Sequence, residues 1–249
     1  PIVAFGLLAL LPGQYDVLFV VSFAIAIAGL GAILLFVPGI QRGDRPIANA
    51  VVSFRSSLGL LAERRFRGQV LASIVLGLST ISDSFVFLSL QQQLNVPVMV
   101  FPLFYVGTSL STAVFSAPVG WIADRFGRLP VLISGYAVLV LVYLLLLAPL
   151  GHALASLALT MVLFGIYYAA TDGVLTAMAA AVLPKPQSGS GLAVLATASN
   201  LARLTGSVLF GLLWSRMGIG SATIAFLVAL GVSLLIAFRL LRPSRLHGH

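Results

Sequence analysis

Apolar residues run in blocks long enough to cross a bilayer, and polar residues gather in the gaps between them. After a stub from 1 to 11, seven blocks follow near 17 to 37, 70 to 90, 98 to 121, 131 to 150, 153 to 183, 190 to 214 and 219 to 241. A helix needs about 20 apolar residues to cross about 30 Å of hydrocarbon. Only helices and closed barrels satisfy their backbone groups there, so the pattern predicts seven transmembrane helices. Turn chemistry marks the gaps: Pro12-Gly13, Pro38-Gly39, Asn95-Val96-Pro97, Pro184-Lys185-Pro186 and Met217-Gly218-Ile219-Gly220. The fifth block is long enough to tilt, kink or extend into solvent.

Composition agrees with an all-α polytopic transmembrane helical bundle. Of the 249 residues, 60% are hydrophobic and 8% charged, with a mean hydropathy of +1.12. The net charge of +8 does not point to nucleic acid, because the arginines sit at helix ends and form no basic face. On alternating sides, Arg42, Arg45, Arg55, Arg64, Arg65, Arg67, Arg125, Arg128, Lys185, Arg239, Arg242 and Arg245 fall together, and Arg216 falls opposite. The positive-inside bias then places the C-terminus in the cytoplasm of a cell (inner or plasma) membrane protein.

Enzyme chemistry has little to build on. There is no cysteine, hence no thiolate metal site or Cys nucleophile. His152 lies in a loop and His247 and His249 in a tail, with no His-Glu-x-x-His and no Gly-rich phosphate loop. No cofactor and no metal are expected. A polytopic membrane enzyme and a non-transporting scaffold stay as rivals of a different class.

Between the first two blocks, Gln41 to Gly68 carries Ile47, Val51, Phe54, Leu58 and Leu61 at helical spacing against Arg55, Glu63, Arg64 and Arg65. This reads as an amphipathic interfacial linker. Contact with anionic lipid is the sharper alternative.

Charges inside the blocks mark function, since a charge in hydrocarbon faces a partner or a watery cavity. They are Asp83, Asp172 and Arg203, the transport and proton-coupling candidates. Asp83 falls on a stripe with Ser73, Thr80, Phe87 and Gln91; Asp172 shares a face with Gly165, Tyr168 and Thr176; Arg203 shares one with Thr197, Asn200 and Ser207. Counted from the cytoplasmic ends, Asp172 and Arg203 lie about eleven and about thirteen residues deep, at 1.5 Å per residue. At nearly equal depth they form either a structural pair that orients two helices or a pair that opens during function. Asp83 has no evident partner.

The second, third, fifth and sixth blocks carry polar stripes, whereas the first, fourth and seventh are almost featureless. Two lining helices followed by an outer one imply a repeating three-helix unit around a watery path. Thr80, Phe87, Tyr105, Thr108, Thr112, Tyr168, Thr176 and Asn200 are its cavity-lining candidates. Bulky Phe87, Phe101, Tyr105, Tyr167 and Tyr168 favour a lipophilic or drug-like cargo over a sugar or an anion.

The gap Gly120-Trp121-Ile122-Ala123-Asp124-Arg125-Phe126-Gly127-Arg128 reads as a tight loop whose Asp caps a helix N-terminus. It resembles the loop signature of the major facilitator superfamily, Gly-x-Leu-x-Asp-Arg-x-Gly-Arg followed by a basic residue. Ile122 replaces the Leu, and Leu129 stands where the last basic residue belongs. The stretch from Gly165 to Gly173 is similar to the tenth helix of bacterial members, where an acidic residue precedes Gly. The resemblance implies twelve helices in two six-helix bundles around a central cavity. Residues 1–37 would close the N-terminal bundle, 38–68 would be the linker between bundles, and 69–249 the C-terminal six-helix bundle. Pro1, set in an apolar run without a Met, fits a fragment, so the remainder of the N-terminal bundle is an expected partner. Gly120, Asp124, Arg125, Gly127 and Arg128 would form the gating loop that closes the cytoplasmic side.

The implied activity is secondary active transport by alternating access: proton-coupled efflux of a small lipophilic molecule, or, alternatively, proton-coupled uptake of a small metabolite. Partners would be a small-molecule substrate, protons and the lipid bilayer, and no transport is expected from these residues alone.

Overall fold

The computed structural model describes residues 2–11, 14–36, 59–148, 152–184 and 187–242. Eight helices make it up: α1 Ile2–Leu10, α2 Tyr15–Phe36, α3 Arg64–Leu78, α4 Asp83–Leu94, α5 Phe101–Phe126, α6 Arg128–Leu147, α7 Ala153–Ala180 and α8 Ser188–Leu241. Short 3-10 turns at Leu60–Ala62 and Val98–Val100 lead into α3 and α5. No strand occurs among the described residues. Most of the expected amphipathic linker, residues 41–58, lies outside the described residues.

One element differs from the blocks read along the chain. The expected span 70 to 90 is two helices: α3 starts earlier, at Arg64, and stops at Leu78, and α4 starts at Asp83. The run Ser79-Thr80-Ile81-Ser82 between them is polar enough to bond locally and leave the helical ladder. Thr80 is buried and its hydroxyl donates to the Leu76 carbonyl at 2.9 Å. Ser73, Thr80, Asp83, Phe87 and Gln91 therefore do not share one stripe, and Thr80 and Phe87 are both buried.

Helix α8 holds the sixth and seventh blocks, with the expected gap at Gly218 between them. Its 54 residues bend at Gly218, where φ is 79° and ψ 165°, a conformation natural only to glycine. Phe210 and Phe226 stand eight residues either side of that glycine, and their rings lie 5.2 Å apart. On a straight helix sixteen residues would separate them by about 24 Å. The two arms, 188–217 and 219–241, thus return as an antiparallel pair, and each is long enough to span.

Packing joins α3 to both arms of α8, and α5 and α6 to α7. Backbones approach closely where side chains are small, as expected when van der Waals packing drives helix association in lipid. A Cβ at Gly206 would stand 2.6 Å from the Leu78 carbonyl oxygen, and one at Gly165 would collide with Ser111. Phe87 sits in a ring cluster with Phe101, Phe104, Tyr105 and Phe164, at centroid distances of 5.0 to 6.4 Å. Together with α2, which lies alongside α1, these helices form an all-α polytopic bundle of an integral membrane protein.

The fourth block is less featureless than its hydropathy suggests. Nine of the 20 residues of α6 are buried, against four of the 26 of α5, and Leu132, Tyr136, Leu139 and Tyr143 are among them.

Candidate functional site

Helix α7 is the centre of the candidate site, and its neighbours meet it one turn apart. Tyr168 and Asp172 are four residues apart and so project from one face. The Tyr168 hydroxyl donates to Asp83 Oδ1 at 2.6 Å, which ties α7 to the start of α4. Arg203 Nη2 donates to Asp172 Oδ1 at 2.9 Å, which ties α7 to the first arm of α8. The structure thus joins Asp172 with Arg203, as their equal depth suggested, and it gives Asp83 the partner that the sequence did not reveal.

The two carboxylates have unlike surroundings. Asp83 opens α4, with Ser84 beside it bonded to the Tyr105 hydroxyl at 2.8 Å. The Asp172 side chain is 53% exposed and that of Arg203 27%, so their ion pair borders open space. The Arg203 Nε is nonetheless buried and without a hydrogen bond, as is the Tyr167 hydroxyl.

Two clefts flank α7. One, of about 340 Å³, is lined by Thr112, Ser116 and Gly120 of α5, Arg128 of α6, and Tyr168, Asp172 and small residues of α7. The other, of about 180 Å³, lies between α7 and α8 and takes in Thr176, Ser199, Asn200 and Arg203. Asp172 borders both. Of the cavity-lining candidates, Thr112, Tyr168, Thr176 and Asn200 therefore face clefts. Thr108 is buried, and its hydroxyl has no partner; Phe87 and Tyr105 belong to the ring cluster. Tyr167 is fully buried against Tyr136, at 5.4 Å between centroids. The aromatic residues that suggested a lipophilic cargo are mostly packing; Tyr168 alone among those five borders the larger cleft.

The expected loop from Gly120 to Arg128 is almost all helix. Helix α5 runs to Phe126, α6 starts at Arg128, and Gly127 alone joins them with φ 95°. Asp124 caps neither helix end with its side chain; it lines the larger cleft beside Arg128. Arg128 Nη1 donates to the Ala177 carbonyl at 2.7 Å, near the end of α7, where a cation also meets the negative end of the helix dipole. The Arg125 guanidinium lies over Trp121 and Phe126, 5.2 and 5.7 Å from their ring centres, a cation–π placement. Arg128 thus ties α6 to α7, while Arg125 stays on the exposed rings of its own helix α5.

Among the described residues no three His, Cys, Asp or Glu side chains gather as a metal would need. Sequence reasoning missed Tyr143 and the break it touches. Tyrosines at 136 and 143, seven apart in an otherwise Leu and Val run, were the available signal for a buried polar face.

The family model of the Major Facilitator Superfamily matches residues 70–248, which is most of the chain and takes in everything from α3 to the second arm of α8. The chain belongs to the major facilitator superfamily. Neither a comparison with curated proteins nor one with solved structures gave a match. Superfamily membership makes this a membrane transport protein, and the helix order from α3 onward supplies six spans: α3 with α4, then α5, α6, α7 and the two arms of α8. Within that frame the motif at the α5–α6 turn and the charged residues of α7 and α8 fall on four successive helices.

Proposed function

We propose that this superfamily member is a secondary carrier working by alternating access, and that it couples proton movement to efflux of a small lipophilic molecule. The observation that carries the reading is Asp172. It is a charged residue inside a membrane helix, eight residues before the end of α7 at Ala180, paired with Arg203, and it borders both clefts. A charge so placed is expensive in hydrocarbon unless an aqueous cavity or a facing protein surface meets it. A second bundle opposite α5, α7 and α8 would close that cavity, with 1–37 as its last part and 38–68 as the linker. The arginine-bearing end, with Arg64, Arg125, Arg128 and Arg239, would face the cytoplasm of the cell membrane.

Rocking of the two bundles would expose the site to each side in turn. Asp172 and Arg203 would separate and rejoin in the cycle, and Asp83, held by a neutral hydroxyl, would carry the proton. Asp124, Arg125 and Arg128 would hold the cytoplasmic side closed. Six of the twelve residues lining the larger cleft are glycine, alanine or valine, and Arg128 is its one basic residue beside Asp124 and Asp172, which supports a neutral or cationic lipophilic cargo over an anion.

Flux of lipophilic cations and small metabolites into proteoliposomes, with the complete gene product and imposed proton gradients, tests this. Gradient-dependent extrusion of lipophilic compounds, abolished in Asp172→Asn, is the expected result. Gradient-driven accumulation of a metabolite instead would reverse the direction, and flux untouched by Asp172→Asn would remove the coupling role.

A further inference from the structure

The break between α3 and α4 is held by a side chain from another helix. Tyr143 of α6, fully buried, uses its hydroxyl twice: it accepts from the Ile81 backbone N–H at 2.7 Å and donates to the Ser79 carbonyl at 3.0 Å. Both are main-chain groups that the interrupted ladder would otherwise leave unpaired in hydrocarbon, where each such group is costly. Ser79 is fixed further by its own hydroxyl, which donates to Ser233 Oγ of the second α8 arm at 2.9 Å. Thr80 folds back on Leu76. Two residues beyond Ile81 stands Asp83, the first residue of α4.

We propose that Tyr143 is the positioning residue of the candidate proton site: its hydroxyl pins the α3–α4 break and so sets where Asp83 meets Tyr168. The role of Asp83 rests on the transporter reading above; the pin itself does not. A buried tyrosine on α6, remote in sequence from both acids, thereby ties α6 to the break between α3 and α4. Without it the break would recover as helix or loosen, and either change turns or moves the start of α4. The groups that act on Asp83 from the surrounding helices are Tyr168 and Asp172 of α7, Arg203 of α8, Tyr105 of α5 through Ser84, and Tyr143 of α6 through the break.

The test uses Tyr143→Phe in the complete protein, with two readouts that need no transport. Amide exchange of the segment 79–85 should quicken about tenfold on loss of a bond to a buried group, with α5 and α7 unchanged. The carboxyl stretch of Asp83, isolated by infrared difference against Asp83→Asn, should titrate at a displaced pH. Ser79→Ala, which removes the hydroxyl contacts to Val75, Leu76 and Ser233 and keeps both Tyr143 bonds to the main chain, should leave the titration in place. Unchanged exchange overturns the pin; quickened exchange with an undisplaced Asp83 titration overturns the positioning role. If Tyr143→Phe does not fold, the native protein decides: slow exchange of the Ile81 amide, which has no helical partner, is the expected result, and fast exchange overturns the proposal. Absence of proton-coupled flux would count against the transporter reading and leave these outcomes intact.

Discussion

Asp83 and Asp172 are the two acids of the bundle interior, and α7 holds both, yet it holds them by opposite means. Asp83 receives a neutral hydroxyl from Tyr168, whereas Asp172 receives a cation from Arg203. A hydroxyl serves as donor to a carboxylate or as acceptor to a protonated acid, so the Asp83 bond survives a change of protonation. A guanidinium donates only, and it loses its counter-charge when its carboxylate is protonated. Asp83 therefore suits a group that gains and loses a proton in place, and Asp172 suits a contact that parts when charge changes. One turn of one helix separates the two behaviours.

The sharpest way to break that contrast is to strip Asp172 of its cation. Loss of one member of a fully buried pair destabilises by about 3–5 kcal/mol. Here half of the carboxylate side chain is open to the clefts, so Arg203→Gln is expected to lower stability by about 1–3 kcal/mol. Adding Asp172→Asn should restore at least half of the loss, as read by thermal unfolding in detergent. A double variant no more stable than the single would show that Arg203 is needed for something other than Asp172.

Tyr168→Phe should act less strongly, by about 1–2 kcal/mol, because it removes one hydrogen bond and leaves no bare charge pair. The same unfolding assay measures it, and a loss exceeding that of Arg203→Gln would invert the ranking. Accessibility gives a finer comparison. In a chain without cysteine, a thiol introduced at 172 should react with a water-soluble maleimide about tenfold faster than one at 83, following exposure; equal rates would mean that the two acids share one compartment. The smallest effect belongs to Thr176→Val. Thr176 bonds only the Asp172 carbonyl, so stability should change by less than about 0.5 kcal/mol. An altered substrate affinity in that variant would place Thr176 against the cargo instead.

Helix number, the turn at Gly218 and the equal depth of Asp172 and Arg203 were legible in the sequence because each rests on a one-dimensional quantity: block length, a glycine-rich gap, or residues counted from an end. Lateral relations were not. The Ser79–Ser82 interruption lies inside an unbroken apolar block, and hydropathy does not register a turn whose polar groups are all satisfied internally. Phe87 and Tyr167 looked like cavity walls because periodicity gives a face without saying which neighbour covers it; other rings cover both. Asp83 looked solitary because its partner is a tyrosine, a residue that hydropathy treats as nearly neutral. The Gly120–Arg128 gap looked like a loop because charge dilutes hydropathy, yet Asp124, Arg125 and Arg128 fit readily into helix ends.

A turn of one residue also fixes rotation. Gly127 is the sole residue between α5 and α6, so the angular phase of α6 about its own axis is locked to that of α5. One inserted residue would rotate α6 by about 100° and swing Tyr143 away from the α3–α4 break, fifteen residues further along. The spacing of this motif is in that sense a timing mark: whatever its charges do at the membrane surface, its length decides which side chains of α6 arrive at the bundle interior.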